Sequence, residues 1–331
     1  MAEAAIDPEL AAALDRLPES ERSVEYYDFD QLDRTRAFEA AMSPGLSRSE
    51  AEARGVRIED IPLNRDAVGP KRIRLYRTVV GAEPAPAARP ALPALLWIHG
   101  GGMVSGAPEQ DDAHMTAYVR ALGIVIASVD YRLAPEHPHP APVDDCFAAF
   151  GWLVDHAADL GVDPDRIAVG GSSAGGGLAA GLALMARDAG GPVPMFQLLV
   201  HPMLDDRTAH HSVPDVPDLG VWDRAMNVKA WDALLPGQRA SASVSPYAAP
   251  ARAVNLAGLP AAYLDVGSVD LFVAEDIDYA HRLEAAGVEV ELRVHAGAYH
   301  GFDDIAPDAA LSRSAELFRI DALRRAFGAD D

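Results

Sequence analysis

The chain is poor in three things. It has a single cysteine, only two lysines, and no apolar run of the ~18 residues that a membrane span needs. The lone Cys146 excludes an internal disulfide. It sits in the apolar run Cys146-Phe147-Ala148-Ala149-Phe150, as expected of a buried structural thiol. No Cys/His spacing of a metal-ligand type is present, so neither a metal nor another cofactor is expected. With Lys71 and Lys229 the only lysines, the basic charge is almost all arginine, and the net charge is −22 at a pI near 4.7. Such a field repels nucleic acid and anionic membranes and favours solubility, which argues against either as a partner. The N-terminus, Met1 to Pro8, lacks the basic start and apolar core of a secretory signal, so a cytoplasmic location is expected. The sequence is compatible with a homo-oligomer and does not specify one.

What is there is an ordinary globular composition, 49% hydrophobic and 24% charged, over 331 residues. That length suits one large α/β domain with insertions, or two small domains. Residues 1 to about 50 carry apolar residues at helical spacing (Leu10, Ala13, Leu14 and Leu17, then Phe38, Ala41 and Met42), which predicts two or three short helices. From residue 56 the pattern alternates, as half-buried strands do, through Val56–Ile61 and Arg72–Tyr76. Short apolar runs follow at residues 94–98, 124–129, 167–169, 196–200, 262–266 and 288–292. Helical segments are expected at about 142–158, 174–188, 274–286 and 311–327. Strand alternating with helix predicts a mostly parallel sheet covered on both faces. Residues from about 205 to 250 interrupt the rhythm. They carry Trp222, Met226 and Trp231 at helical spacing, a stripe that suits packing better than a pocket lining.

The strongest local signal is Gly171-Ser172-Ser173-Ala174-Gly175 after the run Ile167-Ala168-Val169. Gly-x-Ser-x-Gly between a strand and a helix is the pattern of a nucleophile elbow: flanking side chains would collide in so sharp a turn. Ser172 does not fit that role, because Ala174 lies two residues beyond it. A second signal is His99-Gly100-Gly101-Gly102, directly after the run ending at Ile98. Its bare amides, with that of Ala174, could receive a developing oxyanion, and Gly101, Gly102 and Ala174 are the expected donors. His99 reads as support for this loop rather than as a base.

A serine nucleophile needs an imidazole and an acid that orients it. His300, in Ala298-Tyr299-His300-Gly301-Phe302, follows the last strand and is preferred as the base over His295, His201, His137 and His139. Between serine and histidine, Leu264-Asp265-Val266-Gly267-Ser268-Val269-Asp270 offers two carboxylates. Asp265 falls inside a strand run. Asp270 falls in the loop beyond it and is preferred, although an aspartate there also suits a helix N-cap. The order Ser, Asp, His matches the hydrolase arrangement.

Four segments together resemble the hormone-sensitive-lipase-like carboxylesterases of the α/β-hydrolase fold. They are His99-Gly100-Gly101-Gly102, Asp130 to Pro138 (Asp-Tyr-Arg-Leu-Ala-Pro-Glu-His-Pro), Gly171 to Gly176, and Tyr299-His300-Gly301-Phe302. The resemblance runs from about residue 55 to the C-terminus. It implies Ser173 as nucleophile, His300 as base, Asp270 as acid, and oxyanion donors at Gly101, Gly102 and Ala174. It further implies a catalytic domain over 55–331, with a cap built from residues 1–54 and the insertion at about 205–250. The implied activity is metal-free hydrolysis of short- to medium-chain carboxylic esters through an acyl-enzyme. Two departures stand out. Ser172 precedes the nucleophile where the family has Asp or Thr, and Leu271-Phe272 follows the acid where the family has Pro-Leu. A small-molecule receptor on this fold is the alternative from another class, but the plant gibberellin receptors of that kind lack the base histidine. Amidase, lactonase and carbohydrate-deacetylase activities use the same triad and are not separated by sequence.

Overall fold

The computed structural model describes residues 5–17, 29, 31–63, 69–79, 90–208, 218–219 and 221–328. Eight strands form one sheet: β1 (Val56–Pro62), β2 (Arg72–Thr78), β3 (Leu92–Ile98), β4 (Val125–Asp130), β5 (Val162–Ser172), β6 (Phe196–Val200), β7 (Ala261–Gly267) and β8 (Val290–His295). Their order is β1-β2-β4-β3-β5-β6-β7-β8. The pairs β1/β2 and β2/β4 are antiparallel and every later pair is parallel.

Alternation along the strands divides the core in two. Ala94, Leu96 and Ile98 of β3 face one layer, in which helices α5 (Ala141–Asp155), α7 (Ala174–Ala189) and α9 (Val273–Ala285) pack. Leu95 and Trp97 face the other, against α4 (Asp112–Leu122) and α11 (Ala310–Ala326). Cys146 is fully buried in the first layer, and burial pushes its thiol well above the usual range. The remaining short helices are α6 (Ala157–Leu160), α8 (Arg224–Leu234) and α10 (Phe302–Ile305).

At the N-terminus the expected helices are α1 (Pro8–Leu14), α2 (Leu32–Met42) and α3 (Arg48–Ala53). Leu10 and Leu14 of α1 pack on Tyr299 and Phe302. Phe38 and Met42 of α2, expected on a packing face, are exposed. What holds α2 is Arg36. Its guanidinium donates to the Val104 carbonyl at 2.8 Å, to the Ala134 carbonyl at 2.9 Å, and to both Glu136 oxygens.

Several elements differ from expectation. Helix α4 was not anticipated, yet Met115, Tyr118 and Val119 lie at i, i+3 and i+4 and Gly123 ends it at φ 66°. Strand β8 begins two residues late, because Val288 turns into the core before the ladder starts. Strand β2 is not half-buried. Arg74 and Tyr76 are enclosed because both bond to Asp112 of α4.

Candidate active site

The parallel strands end together, and the loops beyond those ends are where α/β sheets build sites. Strand β5 lies in the middle of the sheet and ends at Ser172, so Ser173 stands at the junction with α7. Its backbone is forced to φ 54° and ψ −120°, a region that a side-chain-bearing residue occupies only when its surroundings hold it there. The hold is visible: the Ser173 amide donates to the Val200 carbonyl at 2.9 Å, and the Met203 amide donates to the Ser173 carbonyl at 2.9 Å. The turn also needs its glycines. A Cβ on Gly175 would lie 2.0 Å from the Ile98 oxygen, and one on Gly171 would lie 2.5 Å from the same atom. The start of α7 is thereby pressed against the end of β3, next to the glycine loop.

His300 comes from beyond the edge strand β8 and must reach back across the sheet. The chain achieves this by folding over the tip of β7, where the Val269 amide donates to the Ala298 carbonyl at 2.9 Å. The approach is so close that a Cβ on Gly267 would fall 2.1 Å from the Ala298 oxygen. The result is a continuous chain of hydrogen bonds. The Ser173 Oγ lies 2.9 Å from His300 Nε2, and His300 Nδ1 lies 2.8 Å from Asp270 Oδ2. The second Asp270 oxygen accepts the Phe272 amide at 2.9 Å. Asp270 is 1% exposed, while Ser173 and His300 keep 7% and 9% exposure.

The structure also brings the three expected oxyanion donors to this edge. Ala174 is the first residue of α7, where the amide has no intrahelical acceptor and the helix dipole favours negative charge. Gly101 and Gly102 follow β3, the neighbour of β5, with φ of 102° and 61°. Among the described residues, the amides of Gly101, Gly102 and Ala174 donate to no other protein group. The Trp222 indole covers Gly102, where an added Cβ would lie 2.3 Å from the ring, and the same indole stands 6.4 Å from the His300 imidazole. Of the insertion stripe, Met226 and Trp231 are buried packing residues, and Trp222 alone reaches the site.

The other histidines and carboxylates are placed elsewhere. His99 is fully buried, stacks on Tyr131 at 4.2 Å, and is pushed down to about 4 by burial, so it stays neutral beneath the glycine loop. His295 and Asp265 lie deeper, joined to Arg319 of α11. Glu275 is buried and accepts the Leu204 amide at 2.7 Å. Among the described residues, Asp276 is buried without a hydrogen-bond partner. Burial, then the neighbouring carboxylates Glu275 and Asp270, push it well above the usual carboxylate range.

Two contacts escaped the sequence reading. The Phe272 ring meets His300 edge-on at 5.0 Å, and the His201 ring does so at 4.7 Å. Phe272 occupies one of the two departures noted after Asp270, which was the available signal. His201 carried none, since its strand end lies far from His300 in sequence. Burial and the nearby His300 push His201 down to about 4.

A family model described as alpha/beta hydrolase fold matches residues 95–304. With the fold and this cluster in place, that match decides the family. The chain belongs to the hormone-sensitive-lipase-like α/β hydrolases. Carboxylesterase NlhH of Mycobacterium tuberculosis is 34% identical over 98% of this chain and 97% of its own length. Ethyl acetate hydrolase of Pseudomonas putida is 34% identical over 70% of each chain. Among solved structures, one described as bacterial heroin esterase superposes with a TM-score of 0.84, at 39% identity and 99% coverage of both chains. Among the described residues, no helix of this hydrolase is long and apolar enough to cross a membrane, and no group of three or more His, Cys, Asp or Glu is placed to hold a metal ion.

Proposed function

We propose that this hydrolase cleaves short- to medium-chain carboxylic esters through an acyl-enzyme on Ser173. The observation that carries the reading is the unbroken hydrogen-bond chain from Ser173 through His300 to Asp270, at 2.9 and 2.8 Å. An imidazole whose Nδ1–H donates to a carboxylate presents a lone pair at Nε2, where the serine proton goes. Ser173 Oγ attacks the acyl carbon as His300 takes that proton. The carbonyl oxygen, now negative, is received by the amides of Gly101, Gly102 and Ala174. His300 then protonates the departing alcohol. Water enters, loses a proton to His300, attacks the acyl carbon and releases the acid with Ser173 restored.

Preference for small acyl groups rests on Trp222, whose ring lies over Gly102 and narrows the space beside His300. The names of the relatives, a carboxylesterase and an ethyl acetate hydrolase, agree with small esters as substrates. Residues 1–54 and about 205–250 act as a cap over this site in the same reading. Arg36 of α2 ties the first of these segments to the loop that follows β3.

The test is hydrolysis of a series of p-nitrophenyl esters by the wild type and by Ser173→Ala. Turnover should fall by about five orders of magnitude or more in the variant. Comparable rates would remove Ser173 from the mechanism. Activity that rose steadily with acyl length up to long chains would remove the small-substrate reading and leave the nucleophile standing.

A further inference from the structure

Of the expected oxyanion donors, Gly102 is the one whose direction can be traced bond by bond. A trans peptide is planar, so the carbonyl of one residue and the N–H of the next point opposite ways. The Gly102 amide is therefore aimed by whatever holds the Gly101 carbonyl. Three donors hold it: the Ser105 amide at 2.9 Å, the Val104 amide at 3.0 Å and the Ser105 hydroxyl at 3.1 Å. The turn they close is tight, since a Cβ on Gly101 would lie 2.4 Å from the Ser105 carbonyl oxygen.

The same rule carries one step further. The Ser105 amide shares its peptide with the Val104 carbonyl, and that carbonyl accepts the Nε–H of Arg36 at 2.8 Å. Guanidinium to carbonyl, amide to carbonyl, and amide to the place of the oxyanion thus form one line through two peptides. Hydrogen bonds in line polarise one another, and a cation at the head strengthens the donor at the tail. The far end of Arg36 is clamped. Its Nη2 donates to the Ala134 carbonyl at 2.9 Å, and Nη1 and Nη2 donate to the two Glu136 oxygens at 2.8 and 2.9 Å. Ala134 and Glu136 belong to the Asp130–Pro138 segment, which is itself tied to the glycine loop: the Ala134 amide donates to the Met103 carbonyl at 2.9 Å. That segment, prominent in the sequence, holds Arg36 against the loop.

Helix α2 is seated for this contact. Leu32, Thr35, Arg36 and Glu39 lie at i, i+3, i+4 and i+7 and share one face. Leu32 and Thr35 are buried, and Glu39 Oε1 stands 3.4 Å from the Ser105 hydroxyl. Phe38 and Met42 are exposed instead, although a helix seated by apolar packing alone would bury them. The side of α2 that meets the loop is chosen for its polar groups.

We propose that Arg36 of α2 is a positioning residue for the oxyanion hole: through the Val104 and Gly101 carbonyls it aims and polarises the Gly102 amide, with the Ser105 hydroxyl as a second support. Arg36 acts through the loop and not on the substrate. The proposal rests on the reading of Ser173 as nucleophile and of Gly102 as donor. It makes the seating of α2 set the strength of the oxyanion contact.

Steady-state hydrolysis of p-nitrophenyl acetate by Arg36→Ala, Arg36→Lys and Ser105→Ala tests this, with Ser173→Ala measured alongside. Removing an oxyanion donor outright costs about 10²- to 10³-fold in turnover, and a donor that loses only its support should forfeit part of that. Arg36→Ala should lower kcat about thirtyfold with KM held within about twofold, and Ser105→Ala should lower kcat about fivefold. Arg36→Lys keeps the charge and one donor and should recover most of the loss. An aliphatic trifluoromethyl ketone, whose adduct on Ser173 carries the oxyanion, should bind more weakly in proportion to the fall in kcat/KM. Arg34→Ala, which removes the same charge from an exposed position of α2, should leave these quantities unchanged. An unchanged kcat in Arg36→Ala and Ser105→Ala, with Ser173→Ala inactive, overturns the proposal and leaves the nucleophile standing. So does a loss confined to KM with the ketone affinity unchanged, which would make Arg36 a strut of the cap. If Arg36→Ala does not fold, Ser105→Ala decides by the same two readings. Activity retained in Ser173→Ala would overturn both the proposal and the reading beneath it.

Discussion

Two carboxylate–imidazole pairs stand close together at the ends of β7 and β8, offset by five residues in each partner: Asp265 with His295, and Asp270 with His300. They contain the same groups and differ in the third one. The lower pair is joined by Arg319, whose Nε donates to Asp265 at 2.7 Å and whose far end pairs with Asp303. Burial pushes the Asp265 carboxyl up, but Arg319 and His295 outweigh it and hold it below the usual range. The Asp265–His295 contact is long, at 3.4 Å, because Arg319 has taken the better geometry. The upper pair has no guanidinium and meets a serine hydroxyl instead. A guanidinium is a donor that does not give up its proton at working pH, whereas a hydroxyl gives one up to a neighbouring base in the course of a reaction. The same two side chains thus make a structural brace in one place and a candidate proton relay in the other.

Exchanging the roles of the two pairs by mutation gives the sharpest tests. The largest effect is expected from Asp270→Asn, which leaves Nδ1 of His300 without its acceptor and favours the wrong tautomer. Turnover should fall about ten-thousandfold with little change in substrate binding. A variant that kept wild-type turnover would move the orienting acid elsewhere, with Glu275 or Asp276 next to examine.

Asp265→Asn should behave in the opposite way. It leaves Arg319 buried with less compensating charge, so unfolding free energy should drop by about 3 kcal/mol while turnover by the folded enzyme stays within severalfold. Chemical denaturation and steady-state kinetics on one preparation separate the two. A large loss of turnover without a loss of stability would mean that the lower pair also takes part in the chemistry.

A third effect, which appears only as pH falls, concerns His201, held near 4 against a usual value of 6.5. Below 6.5 the unfolded chain takes up a proton that the folded chain refuses until about 4. Stability contributed by this group is therefore complete above 6.5 and lost progressively as pH falls toward 4, by up to about 3 kcal/mol. His99 acts in the same direction, and Asp111, pushed up to about 7 by burial, acts in the opposite one. The informative quantity is the difference between wild type and His201→Phe. The wild type should lose unfolding free energy relative to the variant as pH is lowered from 6.5 to 4. Parallel curves would show that His201 is not held neutral in the folded state.

Much of this was legible in the chain. Ser173 stands out because two glycines flank it at the spacing a strand-to-helix turn requires. Five of the six apolar runs mark strands because burial on both faces removes alternation, whereas the sixth, at 288–292, alternates as the edge strand β8. The placement of Asp270 past the strand end and of Asp265 within it was also readable. Other features were not. Arg74 and Tyr76 looked like the polar and apolar halves of a surface strand, and only the docking of α4 encloses both. His201 lies 99 positions before His300, and nothing local announces that their rings will meet.

By itself, the sequence determined the turns and the alternation of elements, because glycine, apolar periodicity and strand length act within a few residues. It thereby named a serine, a histidine and an aspartate as candidates. Tertiary structure decided which groups share a hydrogen bond: Arg319 takes Asp265, Ser173 faces His300, and Trp222 lies over Gly102. The physical reason is that charge pairing and close packing depend on distances set by how eight strands order themselves side by side. That order places residues 127 positions apart within 2.9 Å.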